Sequence, residues 1–282
     1  MRVGIDSYCY HRQFGELYPG LERDPGTRID IWQFLAHAHA LGVDGVSLET
    51  CYLPDDLDVA RLRAALEAVG LDAVWAWGHP QGLASGARPE AVDDLIGHIG
   101  LAAAAGARVM RICAGGRRSR PADWATHRGA LLPLLARLVG PAETHGVVLA
   151  IENHIDLLAA ELVELIETIG SPWLGVCFDT ANNLRMGEDP LAVARLLAPH
   201  ARATHVKNIV RRSGAPGTMA EWPSTALDAG AIDIPAVLAI LRGAGYGGLL
   251  ALEIDYLDPA CGEDAEPAIR RSLAFLRGAL SA

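Results

Sequence analysis

The feature that most constrains the fold is a repeated alternation of short apolar runs with longer amphipathic segments. Eight of the runs are rich in Val, Ile and Leu. Short runs of this composition, bounded by turn-forming residues, are typical of strands that are buried on both faces. We predict strands over residues 2–6, 43–49, 71–77, 108–113, 147–152, 175–179, 203–207 and 249–253.

The segments between these runs carry apolar residues at the spacing of one helix face. Three of them are clear examples of an amphipathic helix whose apolar side faces a core. Their apolar positions are Val59, Leu62, Leu66 and Val69, then Leu162, Leu165, Ile166 and Ile169, and finally Ile269, Leu273, Leu276 and Leu280.

Strands that are buried on both faces and joined by crossover helices run parallel. Eight such units in 282 residues close into a (β/α)8 barrel, so we predict an α/β fold, a TIM barrel formed as a single domain over residues 1–282. An open doubly wound sheet is the alternative. It is disfavoured because the first strand, in VGIDSYCYHR, is not followed by the G-x-G-x-x-G of dinucleotide-binding sheets.

Composition excludes several classes of protein. A chain that is 51% hydrophobic and 21% charged is typical of a globular fold, and its net charge of −10 disfavours nucleic acid as a partner. We predict no membrane contact and a cytoplasmic location, because no apolar stretch approaches the ~18 residues of a membrane span. Five cysteines without a C-x-x-C pair predict reduced, mostly buried thiols.

Charged residues follow each other at the ends of four consecutive predicted strands. Strand five ends in Glu152, strand six ends in Asp179, strand seven carries His205 and strand eight ends in Glu253. The carboxyl ends of barrel strands converge on one open face, where three carboxylates repel one another unless a cation lies between them. We therefore predict a divalent metal ion. Mostly oxygen ligands suit Mn²⁺ best and also Mg²⁺ or Co²⁺, whereas Zn²⁺ favours nitrogen and sulfur.

The motifs AIENH, CFDTAN and THVKN resemble those of the xylose isomerase-like barrel superfamily, and so does the closing stretch GAIDIPAVLAILRGAGYGGLLALEI. The resemblance covers nearly the whole chain and is to the branch of sugar phosphate isomerases and epimerases that includes ketose 3-epimerases and inosose dehydratases. It implies that Glu152, Asp179, His205 and Glu253 bind the metal.

The resemblance to ketose 3-epimerases is incomplete. Those enzymes carry a substrate-contacting histidine three residues after the aspartate of strand six, and this chain has Asn182 there. Their arginine six residues after the histidine of strand seven is matched by Arg211. The substrate pocket is therefore related to theirs but rebuilt.

The predicted ligands also define a chemistry. A metal that holds a carbonyl oxygen and a neighbouring hydroxyl acidifies the C–H bond between them, and a carboxylate can remove that proton to give an enediolate. Glu152 and Glu253 are the predicted catalytic bases. Returning the proton to the opposite face is epimerisation, returning it to the next carbon is isomerisation, and expelling a β-substituent is elimination.

We therefore predict a metal-dependent isomerase or epimerase of a small-molecule sugar or sugar-like ketone. The alternative is a lyase on the same scaffold, such as a dehydratase, acting on a keto-sugar, an inosose or a 3-keto-glycoside. A DNA-repair endonuclease of the same superfamily is disfavoured because that branch needs a histidine-rich trinuclear zinc site, and few of the ten histidines lie at strand ends. A non-catalytic barrel would not need a full ligand set.

Other side chains near strand ends are candidates for substrate contacts. Tyr10, Glu49 and Trp77 share such positions, with ordinary packing as the competing interpretation of the aromatic residues. The predicted substrate-binding residues are Tyr8, His11, His79, His154, Asn182, Lys207 and Arg211.

Two loops concentrate positive charge in this acidic chain. We interpret Arg117, Arg118 and Arg120 as solvated surface residues rather than as an anion site. The connection over residues 210–231 is longer than most loops, which predicts a lid or a subunit contact. Whether the protein forms a homo-oligomer or binds a partner subunit therefore stays open.

Overall fold

Eight parallel strands close into a barrel in the computed structural model, which describes residues 1–211, 222–262 and 264–281. Two further short strands form an antiparallel pair beside the barrel. The barrel strands are β1 Arg2–Asp6, β2 Gly45–Glu49, β3 Asp72–Trp77, β4 Val109–Ile112, β5 Val148–Glu152, β6 Leu174–Asp179, β7 Ala201–Val206 and β10 Leu249–Leu252, and the pair is β8 Asn208–Ile209 with β9 Ser224–Thr225.

The strands follow one another around the barrel in chain order, and β10 closes the ring between β7 and β1. In the described residues the α-helices are α1 His11–Phe14, α2 Ile31–Ala40, α3 Val59–Val69, α4 Ala91–Ala104, α5 Trp124–His145, α6 Ala159–Ile169, α7 Pro190–Leu197, α8 Ile234–Gly243 and α9 Ala265–Ser281. The predicted (β/α)8 barrel is confirmed, and the three predicted helical faces lie in α3, α6 and α9.

The strand bounds differ from the predicted ones by one or two residues at several ends. The run over 43–49 begins pairing only at Gly45, and the seventh strand begins earlier, at Ala201. Lys207 and Glu253 each lie one residue beyond their strand. The composition of a run does not reveal the first and last residue of its strand, because a strand ends where its neighbour can no longer form backbone hydrogen bonds with it.

Five helices begin at an aspartate whose carboxylate accepts a hydrogen bond from a backbone N–H of the first turn. This cap satisfies a donor that has no partner within the helix and contributes about 1 kcal/mol. The capping residues are Asp30, Asp58, Asp123, Asp189 and Asp233.

Strand side chains alternate between two separate cores. Outward side chains such as Trp75, Met110 and Phe178 are fully buried against the helices. Inward side chains form a small plug of Val74, Ala150, Cys177, Ala203 and Leu249 inside the barrel. The inward residues at the carboxyl ends of the strands lie above this plug, so the plug is the floor of the candidate site.

Of the five cysteines, Cys9, Cys113 and Cys177 are reduced and buried, as predicted. Cys51 is exposed and Cys261 is half-buried, so the prediction of buried thiols holds for three of them. Within the described part of the chain, no helix has the length and apolar character that crossing a bilayer requires.

The predicted lid or subunit contact falls partly on residues that the structure does not describe. Residues 212–221, with Arg212 and Met219, lie outside the described residues. On either side of them, β8 pairs with β9 and Trp222 is buried. The lid therefore stays a prediction.

Candidate metal centre and active site

The alternation of strand side chains continues upward from the plug and fills the carboxyl end of the barrel with charged groups. Each of these residues lies at an inward position at or next to the end of its strand, and all are buried. They are Asp6, Glu49, Arg111, Glu152, Asp179, His205 and Glu253.

Four of these residues converge on one point. Glu152, Asp179, His205 and Glu253 each offer a ligand atom, and these atoms all lie within 4.8 Å of one another. The Nδ1 atom of His205 is 2.9 Å from Oε2 of Glu253 and 3.6 Å from Oε1 of Glu152. The structure thus brings together the four residues that the sequence selected as metal ligands.

The chemistry of this cluster fits a divalent ion. Among the described residues, Asp179 Oδ2, Glu253 Oε2 and His205 Nδ1 are buried without a hydrogen bond of good geometry, although they lie close to charged neighbours and buried polar atoms in proteins are nearly always satisfied. With every carboxylate ionised and His205 neutral, as metal binding requires, six acids face three cations. The buried charged residues around the cluster are Asp6, Glu49, Glu152, Asp179, Glu253 and Asp255, with Arg111, Arg185 and Lys207 opposite them.

The two predicted bases are each held by one buried cation. Burial raises the pKa of Glu152, but Arg111 together with His205 and His154 outweighs burial and holds this pKa well below its usual value. Burial likewise raises the pKa of Glu253, while Lys207 and His205 lower it to about 2. Both carboxylates are therefore ionised at neutral pH, as a ligand and a base must be.

Asp6 lies behind His205, with its Oδ2 atom 3.3 Å from the Nε2 atom of the histidine. A carboxylate in this place orients a metal-binding imidazole and fixes which nitrogen faces the ion. Asp6 also accepts a hydrogen bond from the backbone N–H of Tyr8 at 2.6 Å. The sequence analysis overlooked Asp6, although it is the last inward residue of β1.

Arg111 on β4 was also overlooked. Its Nε atom is 3.2 Å from Oε2 of Glu152, its Nη1 donates to the Trp77 carbonyl at 3.2 Å, and its Nη2 binds Oε1 of Glu49. Burial raises the pKa of Glu49 to about 7 even with Arg111 beside it. Arg111 was missed because we searched strand ends for acids and histidines only.

Lys207 contacts three acids from the opposite side of the cluster. Its Nζ atom is 2.9 Å from Oε1 of Glu253, 3.2 Å from Oδ2 of Asp255 and 3.3 Å from Oδ2 of Asp179. Asp255 also pairs with Arg185 at 2.9 Å. Lys207 is thus a counter-charge within the cluster, and Asp255 and Arg185 were not anticipated from the sequence.

Asn182 and His154 lie next to Glu152. The Nδ2 atom of Asn182 donates to Oε1 of Glu152 at 3.0 Å. His154 is half-buried, and its Nδ1 atom is 2.7 Å from the Gly115 carbonyl. Only glycine fits at 115, because a Cβ atom there would lie 2.2 Å from the Ser85 Oγ atom.

Three of the aromatic and histidine candidates contact other residues of the protein. His11 is buried with Nδ1 2.9 Å from the Tyr8 carbonyl and Nε2 3.0 Å from Glu22, so both ring nitrogens have a partner. The Tyr10 hydroxyl binds Glu266, and the Trp77 indole binds Asp94. These contacts favour the packing interpretation for Tyr10 and Trp77, and a substrate contact of His11 stays a prediction.

The basic loops also differ from expectation. Arg120 is half-buried, pairs with Glu161 at 2.8 Å and donates to the Asp156 carbonyl, so it is not a solvated surface residue. Arg117 donates to the Arg185 carbonyl at 2.8 Å. The predicted substrate contact Arg211 is exposed, with its guanidinium 5.5 Å from the Trp222 ring centroid.

A second polar cluster lies at the mouth of the barrel, around Glu16. Its Oε1 atom is 2.7 Å from Nε2 of His79 and accepts from the Tyr8 hydroxyl at 3.3 Å, and its Oε2 accepts from the Tyr52 hydroxyl at 2.7 Å. The Tyr8 hydroxyl also bonds to that of Tyr18 at 2.7 Å. Nothing in the local sequence marks Glu16, because it follows α1 rather than a strand.

The profile of a known family matches this chain over residues 35–279, nearly the whole of the barrel. The chain belongs to the xylose isomerase-like TIM barrel family. The resemblance of the sequence motifs is thereby confirmed. A curated relative, 2-epi-5-epi-valiolone 7-phosphate 2-epimerase of Actinoplanes sp., is 32% identical over 232 residues, which cover 78% of this chain and 81% of the relative.

Solved structures of family members share the fold at low identity. L-ribulose 3-epimerase superposes with a TM-score of 0.76 at 22% identity, over 99% of this chain and 94% of its own. The IolI protein, solved with a bound zinc atom, superposes with a TM-score of 0.77 at 15% identity, over 100% of this chain and 98% of its own. These likenesses concern the architecture of the barrel.

Proposed function

We propose that this barrel is a metal-dependent isomerase or epimerase that removes a proton next to the carbonyl of a small-molecule sugar or sugar-like ketone. The observation that carries the proposal is the convergence of Glu152, Asp179, His205 and Glu253 on one point at the carboxyl end of the barrel. The epimerase name of the 32% identical relative supports the same class of reaction.

The four converging residues would hold the ion, with Asp6 orienting His205 and Arg111 and Lys207 orienting the two glutamates. Three carboxylates and one imidazole favour Mn²⁺, with Mg²⁺, Co²⁺ or Zn²⁺ as alternatives. When bound, such an ion polarises a carbonyl and acidifies the neighbouring C–H bond. The family relationship supports a metal site but does not select the ion.

The chain's own carboxylates would move the proton. Glu152 and Glu253 belong to β5 and to the end of β10, on different sides of the cluster, and both are ionised. One would take the proton from one face of the carbon, leaving an enediolate, and the other, after taking up a proton from solvent, would return it to the opposite face, while the first releases its proton to solvent. Asn182 would keep Glu152 in position through its amide N–H.

Further side chains would bind the substrate or set its environment. His154 and Asn182 flank Glu152, Lys207 flanks Glu253, and Tyr8 and His79 lie at the mouth. For Arg211, the exposed position beside Trp222 suits contact with the part of a substrate that is farthest from the cluster. A cytoplasmic location, a single domain over 1–282, an oligomer and the absence of nucleic acid and membrane partners stay predictions.

Elimination is the second candidate reaction. Asn182 supplies an amide where ketose 3-epimerases carry a histidine, so the contacts that keep a substrate hydroxyl in place differ here. A lyase acting on a keto-sugar, an inosose or a 3-keto-glycoside would use the same cluster and one of the two bases.

The test is direct analysis of products. Metal-loaded protein is incubated in D2O with ketoses, inososes and 3-keto-glycosides, and the products are identified by NMR. We expect deuterium at the carbon next to the carbonyl, with inversion at that carbon for an epimerase. A new double bond with loss of a substituent would establish the lyase instead, and no exchange with any compound would contradict both reactions.

A further inference from the structure

The second polar cluster, around Glu16 at the mouth of the barrel, has no role in the proposed proton transfer. Three donors from three different barrel units surround one carboxylate: Tyr8 follows β1, Tyr52 follows β2 and His79 follows β3. The Glu16 side chain is nevertheless 34% exposed, and that of His79 is 23% exposed. The carboxylate is thus fixed in orientation and still open to the mouth.

Contacts connect this carboxylate to the candidate metal centre. The Tyr8 hydroxyl that donates to Glu16 belongs to a residue whose backbone N–H is bound to Asp6, and Asp6 contacts the ligand His205. On the other side, His79 is close enough to Glu49 and Arg111 for their charges to act on it, and Arg111 binds the ligand Glu152. Two short chains of contacts therefore join Glu16 to two metal ligands.

The hydrogen-bonding capacity of Glu16 is not exhausted by these partners. A carboxylate has about four lone-pair sites. Oε1 has contacts with His79 and Tyr8, whereas Oε2 accepts from Tyr52 alone among the described residues. Oε2 can accept one more hydrogen bond, and a hydroxyl group is the donor that a neutral sugar-like molecule brings.

We propose that Glu16 is a specificity-determining residue whose carboxylate accepts a hydrogen bond from a substrate hydroxyl remote from the metal. The inference rests on the proposed function and adds a substrate class, ketones long enough to reach from the cluster to the mouth and carrying a free hydroxyl there. Because the carboxylate is fixed before binding, this contact costs little conformational entropy.

The experiment compares a long and a short ketone on metal-loaded protein. The short probe is dihydroxyacetone, whose two hydroxyls both lie on carbons next to the carbonyl, so that it brings no remote hydroxyl. The long probe is whichever of D-fructose, D-tagatose, D-psicose and L-sorbose the wild type exchanges fastest. Deuterium incorporation from D2O is followed by NMR for the wild type and for Glu16→Gln, and metal content is measured in both.

Glu16→Gln should lower kcat/KM for the long probe by about tenfold to a hundredfold, the effect of losing a hydrogen bond to a charged group. The loss should be mainly in KM, while exchange of dihydroxyacetone and metal content stay unchanged. Tyr52→Phe should lower kcat/KM for the long probe by a smaller factor, because it loosens the carboxylate without removing it.

The matched control is Asp24→Asn, which breaks the exposed ion pair with Arg28 on the same segment and should change neither probe. Equal losses of kcat/KM with both probes would show that Glu16 only holds the loops together by hydrogen bonds and would overturn the inference. No loss with either probe would overturn it as well. A wild type that exchanges none of these ketones, and no inosose or 3-keto-glycoside either, would contradict the proposed function and this inference together.

Discussion

The two halves of the barrel rim use the same inward positions for different purposes. In the half made by β5, β6, β7 and β10, the acids face one another and His205, and they form the candidate metal centre. In the half made by β1 to β4, Glu49 occupies an equivalent strand-end position but is bound by Arg111. Glu152 and Glu253 also have a buried cation beside them, so what separates them from Glu49 is that their oxygens reach the point on which the candidate ligands converge.

The halves are also joined. Arg111 belongs to the first half and binds Glu152 of the second, so the ligand set depends on a residue that is not a ligand. The first half supplies counter-charge and orientation, through Arg111 and Asp6, and the second half supplies the ligands. The predictions below test this division.

The largest effect should come from removing a ligand. Asp179→Ala or His205→Ala should abolish metal binding and lower turnover by about a thousandfold or more, because each removes one of four ligands. The measurement is metal content by elemental analysis after loading, together with deuterium exchange.

Glu49→Ala is the matched control from the other half and should keep a full equivalent of metal. If both ligand variants retain full metal occupancy, the four-residue site is wrong. If Glu49→Ala loses the metal, the division between the halves is wrong.

The next effect should come from Glu152→Gln and Glu253→Gln. Each keeps an oxygen donor but removes the basic carboxylate, so turnover should fall by about a hundredfold to ten-thousandfold while metal affinity falls modestly. Single-turnover exchange in D2O and metal titration measure the two effects separately.

Near-native turnover in Glu152→Gln would show that Glu152 does not transfer the proton. The same result in Glu253→Gln alone would favour isomerisation or elimination with one base. Glu49→Gln, in the first half, should change turnover far less than either.

Arg111→Met should lower the free energy of unfolding, because Glu152 in the second half depends on this cation from the first half. It leaves Glu49 and Glu152 buried without their counter-charge, a change that costs about 3 to 5 kcal/mol of the free energy of unfolding. Denaturant unfolding of the metal-loaded protein gives this quantity.

Adding Glu49→Gln to Arg111→Met should recover part of the loss, because a neutral amide needs no counter-charge. Additive losses in the double variant would contradict the role of Arg111 as the partner of Glu49.

The smallest effect concerns Asp156, which joins the loop after β5 to the loop after β3 through Ser85 at 3.1 Å. Burial raises the pKa of Asp156 from 3.8 to about 6, so between these pH values the folded state binds more protons than the unfolded chain. Its contribution to stability is therefore present at low pH and is lost as pH rises through about 6.

Asp156→Asn removes this titration. The free energy of unfolding of the variant relative to the wild type should increase by about 1 to 3 kcal/mol between pH 4 and pH 7. Parallel pH profiles for the two proteins would contradict the raised pKa of Asp156.

Much of this molecule was predictable because its signals are local. The apolar runs and helical faces follow from periodicities within short windows, and they gave the strands, the three helical faces and the closed barrel. Glu152, Asp179, His205 and Glu253 were selected because barrel closure brings strand ends together whatever the loops do. The same rule, applied to the first four strands as well as the last four and to basic residues as well as acids and histidines, would also have found Asp6 and Arg111.

Other features depend on contacts between distant parts of the chain. Glu16 lies after a short helix, and only the folded chain brings it to Tyr52 and His79. The contact of His11 with Glu22 likewise depends on how the loop folds.

The sequence by itself determined the barrel and the convergence of the four candidate ligands, since both depend on strand order and on the alternation of side chains along each strand. Only the tertiary structure decided which cation lies beside each acid. Arg111 contacts both Glu49 and Glu152, and the reach of a long side chain across the barrel is set by packing rather than by position in the chain.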